Sequence, residues 1–158
     1  MFYPLQIHTL RRRVLIPAPH ERVFDFFGEA ANLDRLTPEW LNFQILTPSP
    51  IPMRAGIRID YRLALHGLKF RWVTEIKHWD PPRRFVDEQI KGPYLFWSHE
   101  HTFEESETGT LMTDHVRYAV PGFIFEPIIH LGFVRGRLRR IFDYREQALL
   151  SEFGVRHL

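Results

Sequence analysis

The chain has 158 residues, 44% of them hydrophobic and 25% charged, which suits one folded domain and excludes a disordered chain or a membrane-spanning one. A net charge of +2 gives no reason to expect a nucleic-acid partner. The absence of cysteine excludes disulfides, thiolate metal sites and cysteine nucleophiles, and it fits a reducing compartment.

No long apolar stretch follows Arg11, Arg12 and Arg13, so a secretory leader is not expected and a cytoplasmic location is. The first strand is predicted over 6–16 and is stopped by Pro17-Ala18-Pro19. Pro19 suits a first helical position, where a missing N–H costs nothing. A short helix carrying Val23, Phe24, Phe26 and Phe27 then runs to Gly28. A second short helix spans 30–36 and ends at Thr37-Pro38, a strand spans 42–47, and Pro48, Pro50 and Pro52 form a rigid connection.

The pattern then changes to period two. Ile57, Ile59, Tyr61, Leu63 and Leu65 alternate with polar or small residues, and Leu68, Phe70, Trp72, Thr74 and Ile76 do so after a turn at His66-Gly67. Further strands are predicted over 84–90, 94–104 and 110–120, the last two as a hairpin around Ser106-Glu107-Thr108-Gly109. From about Phe123 to Phe153 the chain reads as one helix whose apolar stripe holds Leu131, Val134, Leu138, Ile141, Phe142 and Leu149. Gly132 and Gly136 weaken that helix and mark a bend or a close approach. Short turns between consecutive strands imply an antiparallel meander, whose apolar face and the helix stripe must cover each other.

This order resembles the helix-grip superfamily, which includes START lipid-transfer domains, birch-pollen-allergen-like proteins and, nearest in pattern, small bacterial polyketide cyclase/dehydrase-like proteins. The resemblance is carried by Pro17-Ala18-Pro19 before Val23-Phe24-Asp25-Phe26-Phe27, by Asn32-Leu33 leading to Leu36-Thr37-Pro38, and by Phe85-Val86-Asp87-Glu88-Gln89. Gly92-Pro93-Tyr94 before Trp97-Ser98-His99-Glu100-His101-Thr102-Phe103, and Asp114-His115-Val116-Arg117-Tyr118 running to Pro121, complete it over nearly the whole chain. It implies a single α+β domain over residues 1–158, with a seven-stranded curved antiparallel sheet wrapped around a long C-terminal helix. It also implies an internal cavity for an apolar ligand, with no cofactor and no metal. It does not fix a reaction.

Strand alternation places a polar group inside this domain. Trp97, His99, His101 and Phe103 share one face of their strand, and Met112, Asp114, Val116 and Tyr118 share one face of the next. A loop at 105–108 sets Asp114 opposite His99, and a loop at 106–109 sets it opposite His101; both keep the apolar faces together. A buried, hydrogen-bonded Asp–His pair is therefore expected. Such a pair can satisfy itself in the core, orient the polar end of a ligand, or act as a general acid/base. In that last reading His99 or His101 removes a proton and Tyr118 donates to the developing oxyanion. His99, His101 and Asp114 as a zinc triad is a weak pattern. Asp87 and Gln89 share a face with Phe85 and are candidate additions to the polar patch. Trp40, Phe43, Tyr61, Trp72, Trp97 and Leu138 are candidate wall residues.

Binding or transport of a lipid-like or polyketide-like molecule is the leading expectation. The alternatives are a cyclase, aromatase or dehydratase built on the histidine–aspartate group, and a protein or nucleic-acid interaction module using the arginines near residues 135–145, Arg135, Arg137, Arg139, Arg140 and Arg145. That run otherwise reads as a solvated helix face, with transient contact to anionic lipid head groups as a further role.

Overall fold

The computed structural model describes residues 4–65, 67–122 and 125–154. His66 and Phe123, where the sequence placed a turn and the start of a helix, lie outside the described residues. The elements are β1 (His8–Ile16), α1 (His20–Gly28), α2 (Asn32–Arg35), a 3-10 turn (Glu39–Leu41), β2 (Gln44–Ile45), β3 (Arg58–Leu65) and β4 (Leu68–Asp80). There follow β5 (Arg84–Lys91), β6 (Phe96–Ser106), β7 (Gly109–Ala119), α3 (Glu126–Ile129), a π-helical turn (His130–Val134) and α4 (Arg135–Glu152). No helix of the described residues is long and apolar enough to cross a membrane.

The seven strands form one open antiparallel sheet in the order β1-β7-β6-β5-β4-β3-β2. Only β1 departs from a simple meander: it pairs with β7 through nine residues, His8 against Tyr118 to Ile16 against Thr110. The expected strand at 42–47 shrinks to Gln44–Ile45. Asn42 before it adopts a left-handed φ of 45°, and the N–H groups of both Leu46 and Thr47 donate to the Asp60 carbonyl, which ends regular pairing. Pro19 caps α1 from outside rather than opening it.

The β6–β7 hairpin takes the second of the two registers compatible with its alternation. Ser106 faces Gly109, Glu105 faces Thr110 and His101 faces Asp114. Gly109 is required where it stands: its φ is 149°, and a Cβ there would lie 2.1 Å from the Ile16 carbonyl oxygen. The hairpin end thus closes against the corner between β1 and α1, where the Thr110 hydroxyl donates to the Ala18 carbonyl at 2.6 Å.

The long helix is interrupted. The π-helical turn at His130–Val134 rotates the residues before it relative to α4, so Leu131, placed on the apolar stripe by spacing, is exposed, and His130 is buried instead. Gly132 and Gly136 make no close approach, since a Cβ on either would meet nothing within 4 Å. The turn is pinned to the sheet: His8 Nε2 donates to Glu126 Oε1 at 2.5 Å, the Tyr118 hydroxyl donates to His130 Nε2 at 2.8 Å, and the His8 and His130 rings stack at 3.5 Å. Burial lowers the His130 pKa, with the neighbouring His8 adding to the effect, which leaves its ring an acceptor for Tyr118.

The apolar interior forms two clusters. One joins Phe24, Leu36, Phe85, Phe103, Met112 and Leu149; the other joins Leu63, Trp72, Trp97, Val116, Leu138 and Phe142. Three elements cross from one to the other, and each carries a polar residue at the crossing. On β6 these are His99 and His101, between Trp97 and Phe103. On β7 it is Asp114, between Met112 and Val116, and on α4 it is Arg145, between Phe142 and Leu149.

Candidate functional site

A cavity of about 610 Å³ lies between the inner face of β3–β6, the helices α1 and α2, and α4. Its walls are mostly aromatic and aliphatic, with Phe27, Leu36, Phe43, Tyr61, Leu63, Trp72, Trp97, Leu138 and Phe142 among them. The exposed Leu68 and Phe133 also border it. Period-two alternation turns these strand residues inward, and the opposite faces carry surface ion pairs such as Arg58–Glu75 and Arg84–Glu100.

One stretch of the wall is polar. It contains Asp87, His99, His101 and Arg145, with Asp114 directly behind them. Asp114 Oδ1 accepts from His99 Nε2 at 2.8 Å and from Arg145 Nη2 at 3.2 Å, and His101 Nδ1 lies 3.1 Å from the same oxygen and 3.3 Å from Arg145 Nη2. Asp114 Oδ2 accepts from Arg145 Nε at 3.2 Å, so the guanidinium grips the carboxylate with two nitrogens. His101 Nε2 donates to Asp87 Oδ2 at 2.8 Å. The Phe85 ring stacks on His101 at 4.0 Å, and the Phe27 ring lies 5.0 Å from the Arg145 guanidinium carbon.

These contacts fix the protonation states. Burial would raise the Asp114 pKa, but the Arg145 charge and the two imidazole hydrogen bonds hold it well below the usual carboxylate range. Burial likewise opposes ionisation of Asp87, and the hydrogen bond from His101 overcomes it, leaving the pKa lowered. For His101, burial favours the neutral ring, yet hydrogen bonds to Asp114 and Asp87 outweigh it and raise the pKa. Its Nε2 donates to Asp87, while Nδ1 sits between an Asp114 oxygen at 3.1 Å and Arg145 Nη2 at 3.3 Å. His99 goes the other way: burial, reinforced by His101, pushes it down to about 4. The cluster thus sets two carboxylates against the Arg145 guanidinium and the His101 ring, beside a neutral His99.

Of the residues expected from sequence, Phe43, Tyr61, Trp72, Asp87, Trp97, His99, His101 and Leu138 line the cavity. Asp114 meets both histidines rather than one. Three expectations are corrected. Trp40 is 42% exposed on the 3-10 turn, outside the cavity, with the Arg140 and Arg137 guanidinium carbons 5.4 and 6.0 Å from its ring. Gln89 turns away and bonds the Tyr94 backbone through both amide atoms, Nε2 donating at 2.8 Å and Oε1 accepting at 3.2 Å. Tyr118 is committed to His130, so its hydroxyl does not reach the polar wall.

Arg145 is the residue that sequence reading missed, being counted with the solvated arginines. Arg135, Arg139 and Arg140 are exposed, but Arg145 is 7% exposed. A signal was present: Leu138, Phe142, Arg145 and Leu149 follow one another at spacings of four, three and four, which puts Arg145 on the buried stripe.

Asp87, His99 and His101 offer ligand atoms within 4.8 Å of one another, close enough to surround a metal ion. A cation held by Asp87 and His101 would have to displace the proton that His101 Nε2 shares with Asp87. His8, Glu126 and His130 form a second such group at the π-helical turn.

Comparison with known proteins follows this geometry. No curated protein matches the chain. Its fold is similar to that of a protein from Chromobacterium violaceum (16% identity over 92% of this chain and 96% of that one, TM-score 0.71). It is also similar to the Zhui aromatase/cyclase from a Streptomyces species (15% identity over 93% of each chain, TM-score 0.69). A third likeness is to norcoclaurine synthase from Thalictrum, solved with a transition-state analogue (11% identity over 96% of this chain and 99% of that one, TM-score 0.68). These identities establish a shared fold. Residues 16–142 match the family model described as polyketide cyclase/dehydrase and lipid transport, a span that holds the whole sheet except most of β1 and reaches Phe142 of α4. With most of its length inside that match, the chain belongs to the polyketide cyclase/dehydrase and lipid transport family.

Proposed function

We propose that this protein binds and carries a largely apolar small molecule, lipid-like or polyketide-like, in the cavity between its sheet and α4. The carrying observation is the cavity itself: about 610 Å³, aromatic-walled, with its polar groups gathered on one patch. That size and lining are typical of sites that engulf a small organic ligand and orient it through a few polar contacts.

A cyclase, aromatase or dehydratase reaction at the same wall has less support. A general base works best with a pKa near the operating pH, and His99 at about 4 is far below it. His101 has Nε2 engaged by Asp87 and Nδ1 enclosed by Asp114 and Arg145, and Tyr118 is held by His130. The groups arranged here suit holding better than proton transfer.

Native mass spectrometry of the purified chain, followed by denaturing extraction, tests the reading. The expected result is a retained apolar compound, together with a thermal midpoint that rises when that compound is added back. An empty protein whose midpoint is unmoved by fatty acids and by fused-ring aromatics would overturn it.

A further inference from the structure

The polar wall discriminates among ligands by hydrogen-bond direction. Asp114 is ionised and can only accept, so the proton between it and His99 belongs to Nε2 of the imidazole. His99 Nδ1 then carries a lone pair and no hydrogen. His99 is 7% exposed and lines the cavity, and its Nδ1 has no hydrogen-bond partner among the described residues. The indole nitrogen of Trp72 also lacks a partner but is closed off within the wall; Nδ1 is not closed off in that way and opens on the cavity. An acceptor that faces an apolar cavity and has no protein donor is a ready partner for a ligand that supplies one.

Charge narrows the choice further. The Arg145 guanidinium and the Asp87 and Asp114 carboxylates are already engaged within the cluster, so an ammonium or carboxylate on the ligand would find no free counter-charge there and would be buried at a cost. A carbonyl or ether oxygen would meet the Nδ1 lone pair with another lone pair.

Resting on the ligand-binding reading above, we infer that the ligand of this cavity is uncharged and presents a hydroxyl hydrogen, as a phenol, enol or alcohol does, to Nδ1 of His99. The rest of the molecule lies along the aromatic walls. The specificity is thus for a donor at one end of an apolar skeleton, rather than for a fatty-acid carboxylate.

Three probes of nearly equal shape test this by titration calorimetry on the full chain: naphthalene, 2-methoxynaphthalene and 2-naphthol. The expected order puts 2-naphthol about tenfold tighter than 2-methoxynaphthalene, the yield of one well-made hydrogen bond. In His99→Phe the advantage falls to within about twofold while naphthalene still binds. Should His99→Phe fail to fold, nitrogen NMR on histidine-labelled wild-type protein reads the same contact. The Nδ1 resonance of His99 then shifts with 2-naphthol and stays put with 2-methoxynaphthalene. Equal affinity of the methoxy compound and the naphthol would show that no ligand hydroxyl donates to Nδ1 and overturn the inference, leaving the cavity reading intact. Failure of all three probes to bind would also overturn it, and the fatty-acid arm of the thermal-shift test would then decide the cavity reading.

Discussion

His99 and His101 are two residues apart on one strand face, and their pKa values are shifted in opposite directions. The difference comes from the number of carboxylates each ring reaches. His101 meets Asp114 and Asp87, whereas His99 meets only Asp114, whose charge Arg145 already answers. The consequence for stability has a definite sign. The His99 pKa is depressed from the ordinary 6.5 to about 4 on folding, so between those values the unfolded chain binds the proton and the native one does not. Stability from this residue is complete above about pH 6.5 and is lost as the pH falls to about 4, on the order of 3 kcal/mol in all. His130, also depressed, works in the same direction. His101, whose pKa is raised, works in the opposite direction, and its contribution is lost only as the pH rises above 6.5. Urea unfolding from pH 7 to pH 4 is expected to show a stability slope that flattens in His99→Phe. An unchanged slope would mean that His99 is not held neutral.

Among the elements, the irregular helix and the β6–β7 hairpin behave oppositely toward added side chains. Gly136 lies in the first turn of α4 with open space around it, so Gly136→Ala is expected to raise stability by up to about 1 kcal/mol. Gly109→Ala forces a Cβ onto the Ile16 carbonyl at an unfavourable φ and is expected to destabilise by about 2 kcal/mol or more. Chemical denaturation of the two variants checks both signs. The same elements show what the sequence could convey. Alternation put His99, His101 and Asp114 on inward faces because a strand has only two. It left the register open because a two-residue slip keeps every side chain on its face, and only the packing of Gly109 against Ile16 closes that choice. Leu131 went astray because a π-helical turn changes the phase of the stripe; Gly132, inside that turn, marked an irregularity without giving its kind. Gln89 keeps the register of Asp87, and it is the local bonds of its amide to the Tyr94 backbone that take it from the polar wall. Trp40 looked like any other large aromatic, and only the tertiary course of the 3-10 turn sends it outward.

Across the whole molecule, the polar wall lies on the seam between the two apolar clusters and touches β5, β6, β7 and α4 at once. Asp114→Ala strips Arg145 of its buried counter-charge and is expected to cost about 3–5 kcal/mol. Asp114→Leu combined with Arg145→Met removes both charges and is expected to be much less damaging than the sum of its two single changes, as a double-mutant cycle in urea would show. What the double variant should lose is uniqueness. A greasy helix lying on a greasy sheet can glide by a turn at little penalty, but a glide here would carry Arg145 past Asp114 and strand two charges in oil. The seam therefore acts as a detent that stops α4 at one position along the sheet. With that position fixed from within, residues of the remaining walls can change without letting the helix drift. In the double variant, amide NMR peaks of α4 are expected to broaden or double while the sheet keeps single sharp ones.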